Sequence, residues 1–186
     1  LVMTRIRRCP LRLRSDRVPG SSFHQAAGGS MKVVAIAAVA DNGVIGSGQE
    51  MLWHISEDFR RFKTVTMGHT LVFGRRTFEQ IGKLPGRRHI ICTRDPHWSH
   101  RGVDVATSPR QAVEMAREAG EEICFVAGGG QIYADAFELC DELDITEVHQ
   151  NPNGAARFPA IDPEVWVEVR REPRDGFDFV GYRRRA

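Results

Sequence analysis

Between His54 and Thr66 the chain reads HISEDFRRFKTVT, and one carboxylate in it sits among apolar positions. At about 100° per residue, a helix through this stretch gathers Ile55, Phe59, Phe62 and Val65 on one side. Glu57, Arg60, Arg61 and Lys63 point the other way. Asp58 follows Ile55 by three residues and precedes Phe62 by four, inside the apolar stripe. A carboxylate is rarely buried without a partner. Either Asp58 is an acid of the first turn, favoured by the helix dipole behind a Ser56 cap, or a group from outside the chain meets it.

Two further stretches, LVFGRRTF and FVAGGGQIY, place glycine between a strand and a helix. A helix start offers unpaired N–H groups to an anion, and glycine lets the backbone come close. Arg75 and Arg76 add charge after Gly74, although a lone glycine there also suits a plain tight turn. Gly128, Gly129 and Gly130 in a row give up backbone order without filling a core, which favours phosphate contact more strongly. Neither junction is GxGxxG, and no Walker sequence is present. Two anion sites nonetheless suit a long ligand with separated phosphates. In ICTRD, the hydroxyl of Thr93 and the guanidinium of Arg94 follow a strand where an adenosine ribose would lie, and favour a 2′-phosphate, hence NADP over NAD.

These residues need a scaffold, and from Met31 the chain alternates strand and helix. KVVAIAAVA (32–40) is a continuous apolar run, the mark of a strand covered on both faces. TLVFG, RHIICT, ICFVAGGG and LDITEV read as further strands, with RRTFEQIG and QIYADAFELC as helices. In SPRQAVEMAREAG, Ser108 is an N-cap, Pro109 the first helical residue and Gly120 the stop. WVEVRREPRDGFDFVGYRR reads as a hairpin turning at Asp175-Gly176. The expected fold is a single α/β domain over 31–186, with a mostly parallel mixed sheet of about eight strands, an antiparallel C-terminal hairpin and about four flanking helices.

With 186 residues, 41% hydrophobic and 27% charged, the chain suits one well-buried domain. No run approaches the roughly 18 apolar residues of a membrane span. The net charge of +2 hides an asymmetry: residues 1–30 carry six arginines against Asp16, leaving 20 basic and 23 acidic side chains for the rest. That balance argues against nucleic-acid binding by the folded body. The first thirty residues read as a disordered extension, an upstream translation artefact with Met31 as the natural start, an Arg-rich targeting peptide or a basic arm that touches nucleic acid. Cys9, Cys92, Cys124 and Cys140 show no CxxC spacing, and Cys92 and Cys124 lie in buried runs, which suits a reducing, cytoplasmic setting. The histidines never pair at metal-ligand spacing, so no metal is expected.

The ordered set AVADNGVIG, MLWHISEDFRRFKTVTMGHT, FGRRTFEQIG, LPGRR, AGGGQIY, ITEV and RFP resembles dihydrofolate reductase across essentially all of 31–186. The resemblance implies reduction of 7,8-dihydrofolate to tetrahydrofolate with NADPH, in the service of one-carbon metabolism and thymidylate synthesis, by a monomer with no membrane partner. It implies that Asp58 accepts from the ring N3 and 2-amino group of the pterin and helps N5 take up a proton through water, with Thr146 bonding the carboxylate. Trp53 and Met51 complete the catalytic surroundings on a lid from Asn42 to Trp53 that holds Gly43, Gly46 and Gly48.

Other roles implied by the resemblance follow position by position. Ile36, Ala38 and Ile45 border pterin and nicotinamide. Phe59, Phe62, Ile81 and Leu84 wall the pterin and benzoyl groups. Arg87 grips the substrate's α-carboxylate. Gly46, Gly74, Arg75, Arg76, Thr77, Thr93, Arg94, Gly130, Gln131, Ile132 and Tyr133 line the cofactor, and Gly128 and Gly129 share a cis peptide.

The chain also departs from the family pattern. Leu52 and Ser56 stand where proline is usual, and Gln80 and Phe73 replace commoner residues. Ala127 widens the pocket near the pterin 4-position, and Ala155 replaces an acid that often latches the lid. Two other readings remain at this stage. One is the pyrimidine reductase of riboflavin synthesis, whose substrate ends in a phosphate. The other is a binding protein that keeps the nucleotide cleft without turnover.

Overall fold

The computed structural model describes residues 30–47 and 52–186. The expected N-terminal extension, apart from Ser30, and the lid positions Gly48 and Met51 lie outside the described residues. In chain order the elements are β1 (Lys32–Ala40), β2 (Val44–Gly46), α1 (Ser56–Thr66), β3 (Thr70–Gly74), α2 (Arg75–Ile81), β4 (Arg88–Cys92) and β5 (Asp104–Ala106). There follow α3 (Pro109–Glu118), β6 (Ile123–Val126), α4 (Gly130–Ala136), β7 (Glu142–Val148), β8 (Ala156–Arg157), β9 (Trp166–Pro173) and β10 (Phe177–Arg184).

Eight strands form one sheet in the order β5-β4-β3-β6-β1-β7-β10-β9, while β2 and β8 pair as a separate ribbon. Every pairing in the sheet is parallel except those of β10 with β7 and with β9. The expected α/β domain is therefore present, with its antiparallel hairpin at the C-terminal edge. Sequence reading passes over β2, β5 and β8, whose two or three residues are too few to show a period.

Side chains alternate across each strand and build a core on either face. Val33, Ala35, Val72 and Ile90 pack with Ala112, Val113 and Ala116 of α3 and with Tyr133 and Ala136 of α4. Val34, Ile36, Leu71, Phe73 and Ile91 pack with Phe62 and Val65 of α1 and Phe78 of α2. This two-sided burial is why β1 and β3 read as unbroken apolar runs. In α3, Ser108 Oγ accepts from Gln111 N at 3.2 Å and Pro109 opens the helix. Gly120 leaves the helix at φ +77°, a conformation that disfavours a β-carbon.

Two expectations are corrected. Ile55, not Ser56, occupies the N-cap of α1, and Ser56 begins the helix. QIYADAFELC is not one helix: α4 ends at Ala136 and Phe137–Leu139 is a 3₁₀ turn.

Candidate active site

The carboxyl ends of the parallel strands open onto one cleft of about 1210 Å³, the edge at which α/β sheets bind ligands. The cleft collects Ile36 and Ala38 from β1, Ile45 and Gly46 from β2, and Asp58, Phe59 and Phe62 from α1. Gly74, Arg75, Arg76, Thr77 and Ile81 come from the end of β3 and from α2, and Leu84 and Arg87 from the loop after α2. Thr93 and Arg94 follow β4, and Gly128, Gly129, Gly130, Gln131, Ile132 and Tyr133 follow β6. Residues nominated from widely separated stretches thus share one surface.

Asp58 lies on the wall of this cleft. Thr146 Oγ1, on β7, donates to Asp58 Oδ1 at 2.5 Å. Burial pushes the Asp58 carboxyl above its ordinary range, against the opposing pull of the Thr146 hydroxyl and the Arg61 charge, while Asp144 adds to the rise. The structure corrects the orientation of Arg61. Rather than facing solvent, its Nη2 lies 2.6 and 2.7 Å from the two oxygens of Asp144. Both flanks of α1 are covered, one by the cleft and one by β7 and β10, so a single apolar stripe does not describe it. Lys63, also expected to point away, lines the cleft, and Phe59 keeps 39% of its surface exposed.

Trp53 is not among the cleft-lining residues. It packs with Ala40, Val44 and Val148, and its indole N–H has no partner among the described residues. Tyr133 is buried and donates from its hydroxyl to the Ile36 carbonyl at 2.6 Å, tying α4 to β1. Burial pushes its ionisation well above the ordinary phenol range.

The two glycine junctions are neighbours because β3 and β6 pair in parallel. Gly74 N donates to the Gly128 carbonyl at 2.8 Å, and the Gly128–Gly129 peptide is cis, as the resemblance implies. A β-carbon on Gly74 would meet Ile132 Cγ1 at 2.9 Å, and one on Gly129 would meet Thr77 Oγ1 at 2.9 Å. The bare backbone is therefore needed to keep the cleft floor closed and flat.

Charge in the cleft is lopsided. Arg76, Arg87, Arg94 and Arg157 have no carboxylate partner among the described residues, and the lining acids are Asp58 and Asp135. Arg75 differs: Glu79 holds its Nε at 2.7 Å and Asp95 its Nη1 at 3.0 Å, so its charge is largely engaged. Arg87 is 9% exposed and donates to the Pro85 carbonyl at 3.1 Å and to Thr66 Oγ1 at 3.2 Å. Neither partner neutralises it, and burial lowers its proton affinity.

A family model described as dihydrofolate reductase matches residues 32–184. The chain belongs to the dihydrofolate reductase family. It is 40% identical over 162 residues to the dihydrofolate reductase of Neisseria meningitidis, covering 83% of this chain and 99% of that one. Dihydrofolate reductase type 3 of Salmonella typhimurium is 39% identical over 153 residues, covering 82% and 93%. Among solved structures, the dihydrofolate reductase of Enterococcus faecalis complexed with NADP(H) and RAB-propyl superposes with a TM-score of 0.74 at 32% identity, covering 83% of this chain and 97% of that one.

As a dihydrofolate reductase the site fits an NADP cofactor, since glycine junctions without β-carbons and arginines without acid partners are what a phosphorylated dinucleotide needs. Several cleft residues escaped sequence reading. Thr107, Ser108 and Pro109 were legible as a helix start but not as part of a binding surface. Arg157, quoted only as the start of RFP and given no role, donates from Nη1 to the Asn42 carbonyl at 2.7 Å. With Ala155 unable to latch the loop through a side chain, β2–β8 pairing, Arg157 and the Phe158 N–Gly43 O bond at 3.0 Å secure its base.

Proposed function

We infer that this chain reduces 7,8-dihydrofolate to 5,6,7,8-tetrahydrofolate with NADPH, and so supplies one-carbon metabolism and thymidylate synthesis. The observation that carries the reading is Asp58, a carboxylate on the wall of a half-apolar cleft, clamped by Thr146 and biased toward its protonated form by burial. When bound, the nicotinamide supplies the hydride.

The chain's own residues do the rest. Asp58 presents two oxygens to the N3 and 2-amino donors of a pterin, fixing the ring in one orientation. Its raised proton affinity lets it relay a proton toward N5 through water, so hydride transfer slows as pH rises through its ionisation. The indole N–H of Trp53, buried and without a partner among the described residues, has room in its hydrogen bonding for a water. Phe59, Phe62, Ile81 and Leu84 exclude solvent from the benzoyl group, and the buried guanidinium of Arg87 holds the α-carboxylate. Gly74, Arg76, Thr77 and the triple glycine hold the pyrophosphate, while Thr93 and Arg94 hold the 2′-phosphate. Ile36, Ala38, Ile45 and Gly46 enclose the reacting rings.

We place the enzyme in the cytoplasm as a monomer. Support for the cytoplasm comes from Cys92, Cys124 and Cys140, which are buried and free. NADPH oxidation followed by absorbance tests the activity. Turnover with dihydrofolate and block by a diaminopyrimidine antifolate are expected. Turnover of a phosphorylated pyrimidine instead would transfer the chain to riboflavin chemistry, and tight NADPH binding without oxidation of either would leave a binding protein.

A further inference from the structure

Two polar residues of β7 grip two polar residues of α1. Asp144 and Thr146 are two apart on a strand and share a sheet face. Asp58 and Arg61 are three apart on a helix and share a helix face. Thr146 holds Asp58, and Asp144 holds Arg61 through Nη2 contacts of 2.6 and 2.7 Å. The Arg61 and Asp144 side chains are only 16% and 13% exposed, unlike the solvated ion pairs that contribute little. The Arg61 guanidinium also lies 4.7 Å from the ring centre of Phe179, the β10 residue in register with Thr146. Behind Asp144, Gly181 leaves its space to Arg170, whose Nη2 reaches Asp144 Oδ1 at 3.2 Å.

We propose that Arg61, clamped by Asp144, is a positioning residue for the reduction: it fixes the rotation of α1 that seats Asp58 on Thr146, and with Asp144 it sets the charge that Asp58 feels. The inference rests on the role given to Asp58 above. The charged and titratable groups facing Asp58 are Arg61 on its own helix, Asp144 on β7 and Tyr133 on α4, with Arg170 of β9 acting through Asp144. Arg61 favours the Asp58 carboxylate and Asp144 favours the acid. The two effects oppose each other and leave burial in control. Removing one member unbalances the pair in a known direction.

The test is single-turnover hydride transfer against pH in the NADPH complex for the wild type, Arg61→Met, Arg61→Lys, Asp144→Asn and Asp58→Asn. Asp144→Asn should lower the pH at which transfer falls to half by about one unit, and Arg61→Met should raise it by a similar amount. Arg61→Lys, which keeps the charge, should stay near the wild type. A merely structural pair would lower thermal midpoints without moving the two profiles in opposite directions. Shifts of the same sign, or none, overturn the proposal. Asp144→Asn keeps the side-chain shape and carries the test alone if Arg61→Met does not fold. Asp58→Asn separates the two levels of the argument. A wild-type profile in that variant removes both the role of Asp58 and the proposal, whereas a flat profile there with unmoved profiles in the others removes the proposal alone.

Discussion

At the end of the cleft proposed for the substrate, side chains are placed by packing across the sheet: Asp58 seated on Thr146, Arg61 on Asp144, and Arg87 buried against Thr66. At the end proposed for the cofactor the wall is backbone without side chains, Gly74 against Gly128, with Arg76 and Arg94 nearby lacking a carboxylate partner among the described residues. The first end holds one particular hydrogen-bonding pattern and depends on burial to tune a proton. The second holds charge spread over phosphates and depends on close approach. Substitutions should therefore change turnover at the first end and occupancy at the second.

The largest expected effect is at Asp58. Asp58→Asn keeps an oxygen for the Thr146 hydroxyl, so the fold and NADPH affinity should be retained. Loss of acid–base assistance should lower hydride transfer by ~10²–10⁴. Near-normal turnover at neutral pH would erase the distinction between the two ends. The same variant should be no less stable than the wild type at neutral pH, because a carboxylate that burial disfavours has been removed. The sign follows from linkage: a carboxyl whose folded proton affinity is raised binds protons more readily folded than unfolded, so stability tied to it grows as pH falls. Denaturant titration at two pH values checks it.

Arg87 comes next. Charge-assisted hydrogen bonds contribute about 1.5–3 kcal/mol, so Arg87→Ala should raise the dihydrofolate KM by roughly 10- to 100-fold with a smaller loss in kcat. A shortened substrate without the glutamate moiety should bind both proteins alike. An unchanged KM would separate Arg87 from the substrate carboxylate.

These two residues also mark how much was legible in the sequence. Asp58 was visible because a helix period exposes one misplaced acid, and the strands and α3 were visible through apolar runs and cap chemistry. The partners of Asp58 and Arg61 were not. Asp144 and Thr146 lie more than eighty positions away, and no local pattern states which face of β7 meets α1. Arg87 looked like surface without the family pattern, since nothing in LPGRR foretells burial against Thr66. The ribbon of β2 and β8, and with it Arg157, was invisible because two or three residues carry no period.

At the cofactor end, Gly74→Ala is the sharper probe. Its β-carbon would come within 2.9 Å of Ile132 Cγ1, so α4 or the side chain must move. Overpacking of this kind costs about 1–3 kcal/mol, and NADPH affinity should fall by roughly tenfold or more while the affinity for dihydrofolate alone changes little. Calorimetry with each ligand separately measures the split. Equal losses for both ligands would show that the ends are mechanically one unit.

The smallest effect concerns His89, which supports the substrate end from below. It is 1% exposed, packed near Phe73 and Phe78, and its Nε2 accepts from Leu84 N at 3.1 Å, so the ring proton sits on Nδ1. That bond anchors the loop that carries Arg87. Burial lowers the proton affinity of the ring from the ordinary 6.5, with Arg87 and Lys83 acting in the same direction against a backbone bond at Arg87. The unfolded chain therefore takes up this proton first as pH falls. The stability tied to His89 is present above pH 6.5 and is lost below it, at a limiting rate of about 1.4 kcal/mol per pH unit. His89→Gln keeps an acceptor for Leu84 N but does not titrate, so its stability should fall less steeply between pH 6.5 and 5. Parallel stability curves would mean that the folded and unfolded chains take up this proton alike, and burial of His89 would then not hold the ring neutral.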